Sequence, residues 1–431
     1  KVPSTPENQA FGVLSAINEG NTPLTDIDSI IHGTTVTTNA ILERKISNCG
    51  LITTRGFRDS LELGRRTRPN PYGLIGNFEC LIPREKRLET TERMNADGEI
   101  ITPLDEDEVR VAAKLLLEMG VESVVIHFLH SYLNNSHERR AEEIVSEIWP
   151  NNFITCGSAV MAEYREYERG TTGMINASIQ PVLDRYIQRL RDELKNKGYG
   201  HDLLVMQGNG GTISSKIISK MAVNTVMSGP ASGVIAAAYT ATVSGYPNVI
   251  TCDMGGTSCD VGLIKEGVPQ VSTELEIEYA MPIHVPMVDV RTIGAGGGSI
   301  AQISAAGILE VGPESAGAVP GPICYGRGGR NPTITDANMV MGRLNPAMMV
   351  SSEVSIEDVA SILDEKIAKP LNLSTADEAA AAIIHIANNK MAGALRLVSL
   401  ARGHDPRDFV LFPSGGAGPL HASALARELG L

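Results

Sequence analysis

The chain is 431 residues long, with 42% hydrophobic and 20% charged residues, enough to bury a large core and fill two or three domains. Fifty acidic against 37 basic residues give a formal charge of −13, which argues against a broad electrostatic footprint for nucleic acid. No run of about 18 apolar residues occurs, so no membrane span is predicted. The six cysteines show no C-x-x-C pair and no zinc spacing, which fits free thiols in the cytoplasm.

The sequence opens KVPSTPENQAFGVL, without Met or a signal-peptide pattern, and closes LHASALARELGL inside a helical pattern. Both ends read as those of a segment of a longer polypeptide. His32, in the stretch IHGTT, is either an active-site base or a packed loop histidine, and the second is favoured. Residues 64–100 are polar, turn-rich and weakly periodic, and are predicted to leave the main fold. Arg65, Arg66 and Arg68 within that stretch either meet an anion or lie on a solvated loop, and the solvated loop is favoured.

Thr102-Pro103-Leu104-Asp105 predicts a helix capped by Thr102, with proline in the first turn and an acidic residue at N3. Val109, Ala112, Ala113 and Leu116 line one face of it, and Gly120 ends it. A strand over Val121–Phe128, a helix from near Ser136 to Pro150, and a strand over Phe153–Cys156 follow. Such alternation predicts an α/β fold with a substantially buried sheet. His127 and His130 straddle a strand end and read as structural, since no H-E-x-x-H pattern or third ligand accompanies them. A long helix near 174–197 carries Leu183, Ile187, Leu190 and Leu194 on one stripe and ends at Gly198. It is a natural bridge between two lobes, an N-terminal one over 1–198 and a C-terminal one over 199–431.

Beyond that helix, glycine turns multiply: Gly208–Thr212, Ser228–Pro230, Gly255–Thr257, Gly294–Gly298 and Ser414–Gly418. Helix or strand patterns flank each one, so they are not linkers, and glycine between regular elements marks close backbone approach. Five in one apparent lobe suggest several loops converging on a ligand. The most informative is NVITCDMGGTSCDVGLI, residues 248–264, two apolar β-branched runs around a Gly-Gly turn. Asp253 ends the first run, Thr257 follows the glycines, and Asp260 opens the second run. Turn amides form an anion-binding concavity, and a carboxylate beside them can hold hydrated Mg2+, so a nucleotide-phosphate hairpin is one reading. An ordinary hairpin with polar turn residues is the other.

Phe409–Pro419 reads as strand, glycine turn and helix start, a plausible nucleotide seat. Neither G-x-x-x-x-G-K-[ST] nor a G-x-G-x-x-G fingerprint is present, so a P-loop NTPase is excluded. No G-x-S-x-G elbow occurs either, and Ser228-Gly229-Pro230 resembles a helix cap. Asp289, ahead of the Gly294–Gly298 loop, is the best remaining carboxylate for a substrate or metal role, and an exposed loop acid explains it equally well.

The stretches HGTTVTTNAILER (32–44), GLITTRGFRD (50–59), VNTVMSGPASGVIAA (223–237), CDMGGTSCDVGLI (252–264), TIGAGGGSIA (292–301), GPICYGRGG (321–329), PTITDANMVMGRL (332–344) and SGGAGPLHA (414–422) resemble the hydantoinase A/oxoprolinase family, in order across essentially the whole chain. The resemblance implies a two-lobed actin/Hsp70/sugar-kinase-like ATPase fold, with ATP and Mg2+ in a cleft between the lobes. It implies that Asp253, Gly255, Gly256 and Thr257 match the second phosphate hairpin of that fold, with Asp260 beside it, and that Gly415, Gly416 and Gly418 match its adenosine loop. Asp253 would then reach Mg2+ through water. The family's first D-x-G-G-T hairpin and its C-terminal extension are not in this sequence, and are expected to lie outside it.

The implied activity is ATP-dependent hydrolysis of a cyclic amide, a hydantoin or an oxoproline-like lactam, completed by a hydantoinase B-type partner subunit. Asp253, Asp289 and His32 are the candidate catalytic residues, and Thr34, Thr35 and Arg66 the candidate substrate edge. Within the family the alternative is the ATP-binding subunit of a ketone carboxylase. A nucleotide-gated binding subunit and a small-molecule kinase are readings from other classes.

Overall fold

The computed structural model describes residues 2, 5, 9–65, 72, 79–278, 281–346 and 354–431, and its fold is α/β. The chain packs as two compact units, residues 1–232 with 271–287, and residues 233–270 with 288–431. The sequence reading divides the chain at 198/199 instead.

The two largest sheets of the first unit have three and four strands. Strand β1 (Ile30–His32) belongs to a three-stranded sheet with two later strands described below. Strands β2 (Cys49–Thr54), β3 (Arg87–Thr90), β4 (Ser123–His127) and β5 (Ile154–Cys156) form an all-parallel sheet in the order β3-β2-β4-β5. Every residue of β2 and β4 is buried, as expected of central parallel strands covered on both faces. Helices α1 (Glu106–Glu118) and α2 (Ser136–Ser146) cover one face through Val109, Ala113, Leu116, Ala141 and Ile144. Helix α3 (Glu166–Asn196) covers the other through Met174 and Ala177 against Leu51 and Val125.

Two sequence expectations are corrected here. Arg87–Thr90 lies inside the stretch read as an excursion, yet it is the edge strand of this sheet. Thr102 ends the short strand Ile100–Thr102, and the cap of α1 is Asp105, whose carboxylate accepts the Glu108 N–H at 3.0 Å. A carboxylate at the N-cap is worth about 1 kcal/mol and also complements the helix dipole.

After α3 the chain forms β6 (Leu203–Met206), parallel to β1, and β7 (Thr212–Ser214), antiparallel to β6. Helix α4 (Ser228–Val243) then crosses the division between units. The second unit is built on β8 (Val249–Met254) and β9 (Cys259–Lys265), paired as an antiparallel hairpin. Strands β10 (Val268–Pro269) and β11 (Val290–Ile293) pair with β9, and β12 (Val410–Ser414) runs parallel to β8.

Side chains alternate across this sheet. Ile250, Cys252, Met254, Cys259, Val261 and Leu263 enter a core shared with helices α5 (Ile334–Val340), α6 (Ala376–Val398) and α7 (Gly418–Leu429). The opposite face carries Thr251, Asp253, Asp260 and Gly262, and a Cβ on Gly262 would come within 2.8 Å of Val234 on α4. Glycine there permits close helix-on-sheet packing. Among the described residues, no single helix is long and apolar enough to cross a membrane.

Candidate functional site

The register of the second sheet sets four polar residues in one lateral row. Asp253 pairs with Asp260 across the hairpin, with Ser414 on β12, and Asp260 pairs in turn with Thr292 on β11. Residues directly opposite in a sheet share a face, so all four side chains stand on the α4 side. Asp253 and Asp260 are both half-buried. Burial pushes the Asp260 carboxyl upward, the neighbouring Asp253 charge adds to that, and the Thr292 hydroxyl, donating at 2.5 Å, opposes it.

Three glycine turns meet at the end of this row. Gly415 has φ +79°, and a Cβ there would overlap both the Met254 carbonyl and the Asp253 carboxylate. The Ala417 N–H donates to the Met254 carbonyl at 3.0 Å, which closes the 415–418 turn onto β8. A Cβ on Gly418 would come within 3.0 Å of the Cys252 carbonyl. Helix α7 starts from this turn with no side chain capping its N-terminus; Pro419 in its first turn has no N–H, and the Leu420 N–H donates to the Ala417 carbonyl at 3.0 Å. The third turn lies against the first: Gly297 N–H donates to Gly255 O at 2.9 Å and Gly298 N–H to Gly256 O at 2.6 Å.

Gly255, Gly256 and Thr257 are exposed at the tip of the hairpin. The Gly255 N–H closes the hairpin onto the Ser258 carbonyl at 2.9 Å, which leaves the exposed Gly256 and Thr257 beside two half-buried carboxylates, an arrangement able to take an anion next to a cation. Among the described residues, no group of three or more His, Cys, Asp and Glu gathers to hold a metal tightly. Two carboxylates and a hydroxyl suit a hydrated, hard divalent cation that keeps most of its waters, as Mg2+ does.

Buried polar contacts hold the platform. His421, one turn into α7, is fully buried, with Nδ1 2.7 Å from Asn388 Oδ1 on α6 and Nε2 3.3 Å from Asn338 Nδ2 on α5. The network assigns the proton to Nδ1. Burial, helped by the nearby Arg343 charge, pushes this imidazole down to about 4.

Asp289 shares the second unit but is not a member of this row. Asp289 precedes β11 at the end of that strand remote from the hairpin tip, where it is 6% exposed and ion-paired with Arg402. Its second neighbour is Arg291, at 3.8 Å. His32, Thr34 and Thr35 belong to the first unit. His32 Nε2 meets the Tyr186 hydroxyl at 2.7 Å, and burial pushes its imidazole down to about 4. Thr34 is 6% exposed, and its backbone exchanges hydrogen bonds with the Ser228 hydroxyl at 3.2 and 2.9 Å, a structural lock. Thr35 remains exposed. Arg66 lies outside the described residues. The Gly208–Thr212 and Ser228–Pro230 turns are also in the first unit.

Sequence reasoning did not assign Ser414 or Thr292 to the row. Ser414 was visible as the residue before a glycine turn, whereas nothing local marks Thr292, whose place depends on a pairing across 32 residues.

Residues 169–431 match the family model described as hydantoinase/oxoprolinase, and residues 1–149 match that of the hydantoinase/oxoprolinase N-terminal region. The chain belongs to the hydantoinase/oxoprolinase family. It is 39% identical to caprolactamase subunit alpha of Pseudomonas jessenii, covering 100% of this chain and 63% of that protein. It resembles the crystal structure of the ATP-dependent caprolactamase from that organism with a TM-score of 0.86 at 39% identity, over 100% of this chain and 64% of that one. It also resembles the nucleotide-free structure of an acetone carboxylase, described in terms of ATP-dependent acetone carboxylation, with a TM-score of 0.84 at 30% identity. The coverage there is 100% of this chain and 63% of the other. The chain thus spans just under two thirds of the length of these relatives.

Proposed function

We propose that this chain is the nucleotide-binding part of an ATP-dependent enzyme that opens a cyclic amide, working with a hydantoinase B-type partner subunit. In this reading the fold is of the two-lobed actin/Hsp70/sugar-kinase type. The observation that carries it is the convergence of the Gly255–Thr257 and Gly415–Gly418 turns on the Asp253–Asp260 pair, with Gly415 packed against Asp253 too closely for any other residue. Support at the level of activity comes from the likeness to an ATP-dependent caprolactamase, caprolactam being a cyclic amide.

The chemistry follows from the inertness of amides. Nitrogen donates into the carbonyl and is a poor leaving group. If the amide oxygen attacks the γ-phosphorus of ATP, ADP leaves and the carbonyl carbon becomes a strong electrophile. Water then adds to that carbon, the C–N bond breaks as nitrogen takes up a proton and leaves an acyl phosphate, and a second water hydrolyses the acyl phosphate to carboxylate and phosphate. The protein's part is positioning and charge stabilisation. The Gly255–Thr257 turn holds phosphate oxygens, the 415–418 turn seats the nucleoside, and Asp253, with Asp260 beside it, orients a hydrated Mg2+. That ion, when bound, neutralises phosphate charge as it develops.

The carboxylase reading stays second, favoured by the likeness to acetone carboxylase. One assay separates the readings: the full-length protein with its partner subunit, MgATP, and a panel of hydantoins, lactams and ketones with bicarbonate. Ring opening coupled to ADP and phosphate release is expected. Bicarbonate-dependent carboxylation would move the chain to the second reading, and a stable phosphoester would make it a kinase.

A further inference from the structure

The Gly294–Gly298 turn contributes no side chain and sits behind the hairpin tip, and its contacts define a different task from that of the other two turns. Gly297 and Gly298 take the carbonyls of Gly255 and Gly256, respectively, as hydrogen-bond acceptors. In a trans peptide the carbonyl of one residue and the N–H of the next point in opposite directions. Fixing those two carbonyls toward the 294–298 turn therefore aims the N–H groups of Gly256 and Thr257 away from it. Both residues are exposed, and neither N–H donates to an acceptor among the described residues. A Cβ on Gly296 would overlap the Gly256–Thr257 peptide, so the two backbones are in direct contact.

The turn is itself gripped from behind. The Gly297 carbonyl accepts two hydrogen bonds from Thr335 at the start of α5, from its N–H at 2.8 Å and from its hydroxyl at 2.7 Å. A Cβ on Gly297 would come within 2.7 Å of that hydroxyl. Thr335 is held in turn by the capping box beside it, in which Thr333 and Asp336 satisfy each other's backbone N–H groups. Asp336 is fully buried and also accepts the N–H groups of Ile323 and Cys324 at 3.2 and 2.8 Å.

We infer that Thr335 is a positioning residue for the phosphate site: through Gly297 it sets the direction of the Gly256 and Thr257 amides, and so the affinity for a nucleoside diphosphate or triphosphate. This rests on the nucleotide reading above and adds to it the device that orients the amides. It reassigns the 294–298 turn from ligand contact to brace. Loss of one hydroxyl hydrogen bond in such a brace should weaken nucleotide binding several-fold, on the order of fivefold to tenfold.

The test is calorimetric titration of MgADP into the full-length wild type, Thr335→Val, Thr335→Ser and Gly297→Ala, with the melting temperature of each nucleotide-free protein measured alongside. Thr335→Val keeps shape and the backbone bond but loses the hydroxyl, and should bind MgADP about fivefold to tenfold more weakly. Thr335→Ser should restore affinity to within about twofold, since the hydroxyl returns. If Thr335→Val binds as the wild type does and only melts earlier, Thr335 is merely structural and the inference is overturned. If Thr335→Val does not fold, Gly297→Ala decides, weakened binding supporting the brace and unchanged binding overturning it. A wild type that binds no MgADP removes the nucleotide reading and the inference together, an outcome distinct from failure of the variants alone.

Discussion

Asp253 and Asp260 stand directly opposite each other in the β8–β9 hairpin, on one face of the sheet. Burial makes the Asp260 carboxyl harder to ionise, and the Asp253 charge opposite adds to that. A divalent cation would relieve that repulsion. A glycine turn with outward amides beside the pair would take the anion that travels with the cation. In the proposed function the arrangement takes a metal–phosphate complex rather than either ion alone.

Replacing Asp253 by Asn removes one charge with little change in shape. Turnover of ATP should fall by about 10²–10³-fold, the usual scale for one electrostatic group at a transition state. Because Asp253 is half-buried at a strand end beside a second carboxylate, removing its charge should leave the melting temperature within a few degrees of wild type. Steady-state ATPase assays beside thermal melts check both halves, and normal turnover would remove Asp253 from the mechanism.

Gly415 and Gly256 should respond differently to alanine. Gly415 has positive φ and no room for a Cβ, so Gly415→Ala should cost about 1–3 kcal/mol of stability and distort the turn. Nothing lies within 4 Å of a Cβ on Gly256, so Gly256→Ala should fold normally. Urea denaturation of the two variants measures the difference directly.

His421 makes stability depend on pH. Its folded-state pKa, about 4, lies below the ordinary histidine value of 6.5, so the unfolded chain binds the proton first as pH falls. The stability it contributes is therefore complete above about pH 6.5 and is lost progressively toward pH 4, at about 1.4 kcal/mol per pH unit for one proton. His421→Gln should be less stable at pH 7.5 and should lose less on going to pH 5. Urea midpoints of both proteins at the two pH values supply the comparison.

What the sequence disclosed and what it concealed differ in physical kind. The hairpin around Asp253 and the strand–turn–helix around Gly415 are local, and each pairs an apolar run with glycines, so both were legible as they stand. The row Ser414–Asp253–Asp260–Thr292 was not, because β12 and β11 join it only through register with distant partners. The start of α3 was missed for another reason. From Tyr167 to Pro181 every residue is buried, so no polar face exists to set up a helical period, and only the amphipathic half from Leu183 onward betrays the helix. Asp289 read equally as a substrate or metal carboxylate and as an exposed loop acid, because its partner, Arg402, lies 113 positions later, a separation given by the ion pair itself.

A structure determined with MgADP tests the central claim most directly. The account predicts phosphate oxygens on the Gly256 and Thr257 amides, the nucleoside on the 415–418 turn, and the metal's waters within hydrogen-bond reach of Asp253. A nucleotide seated elsewhere, leaving the Asp253–Asp260 row and both turns untouched, would contradict it.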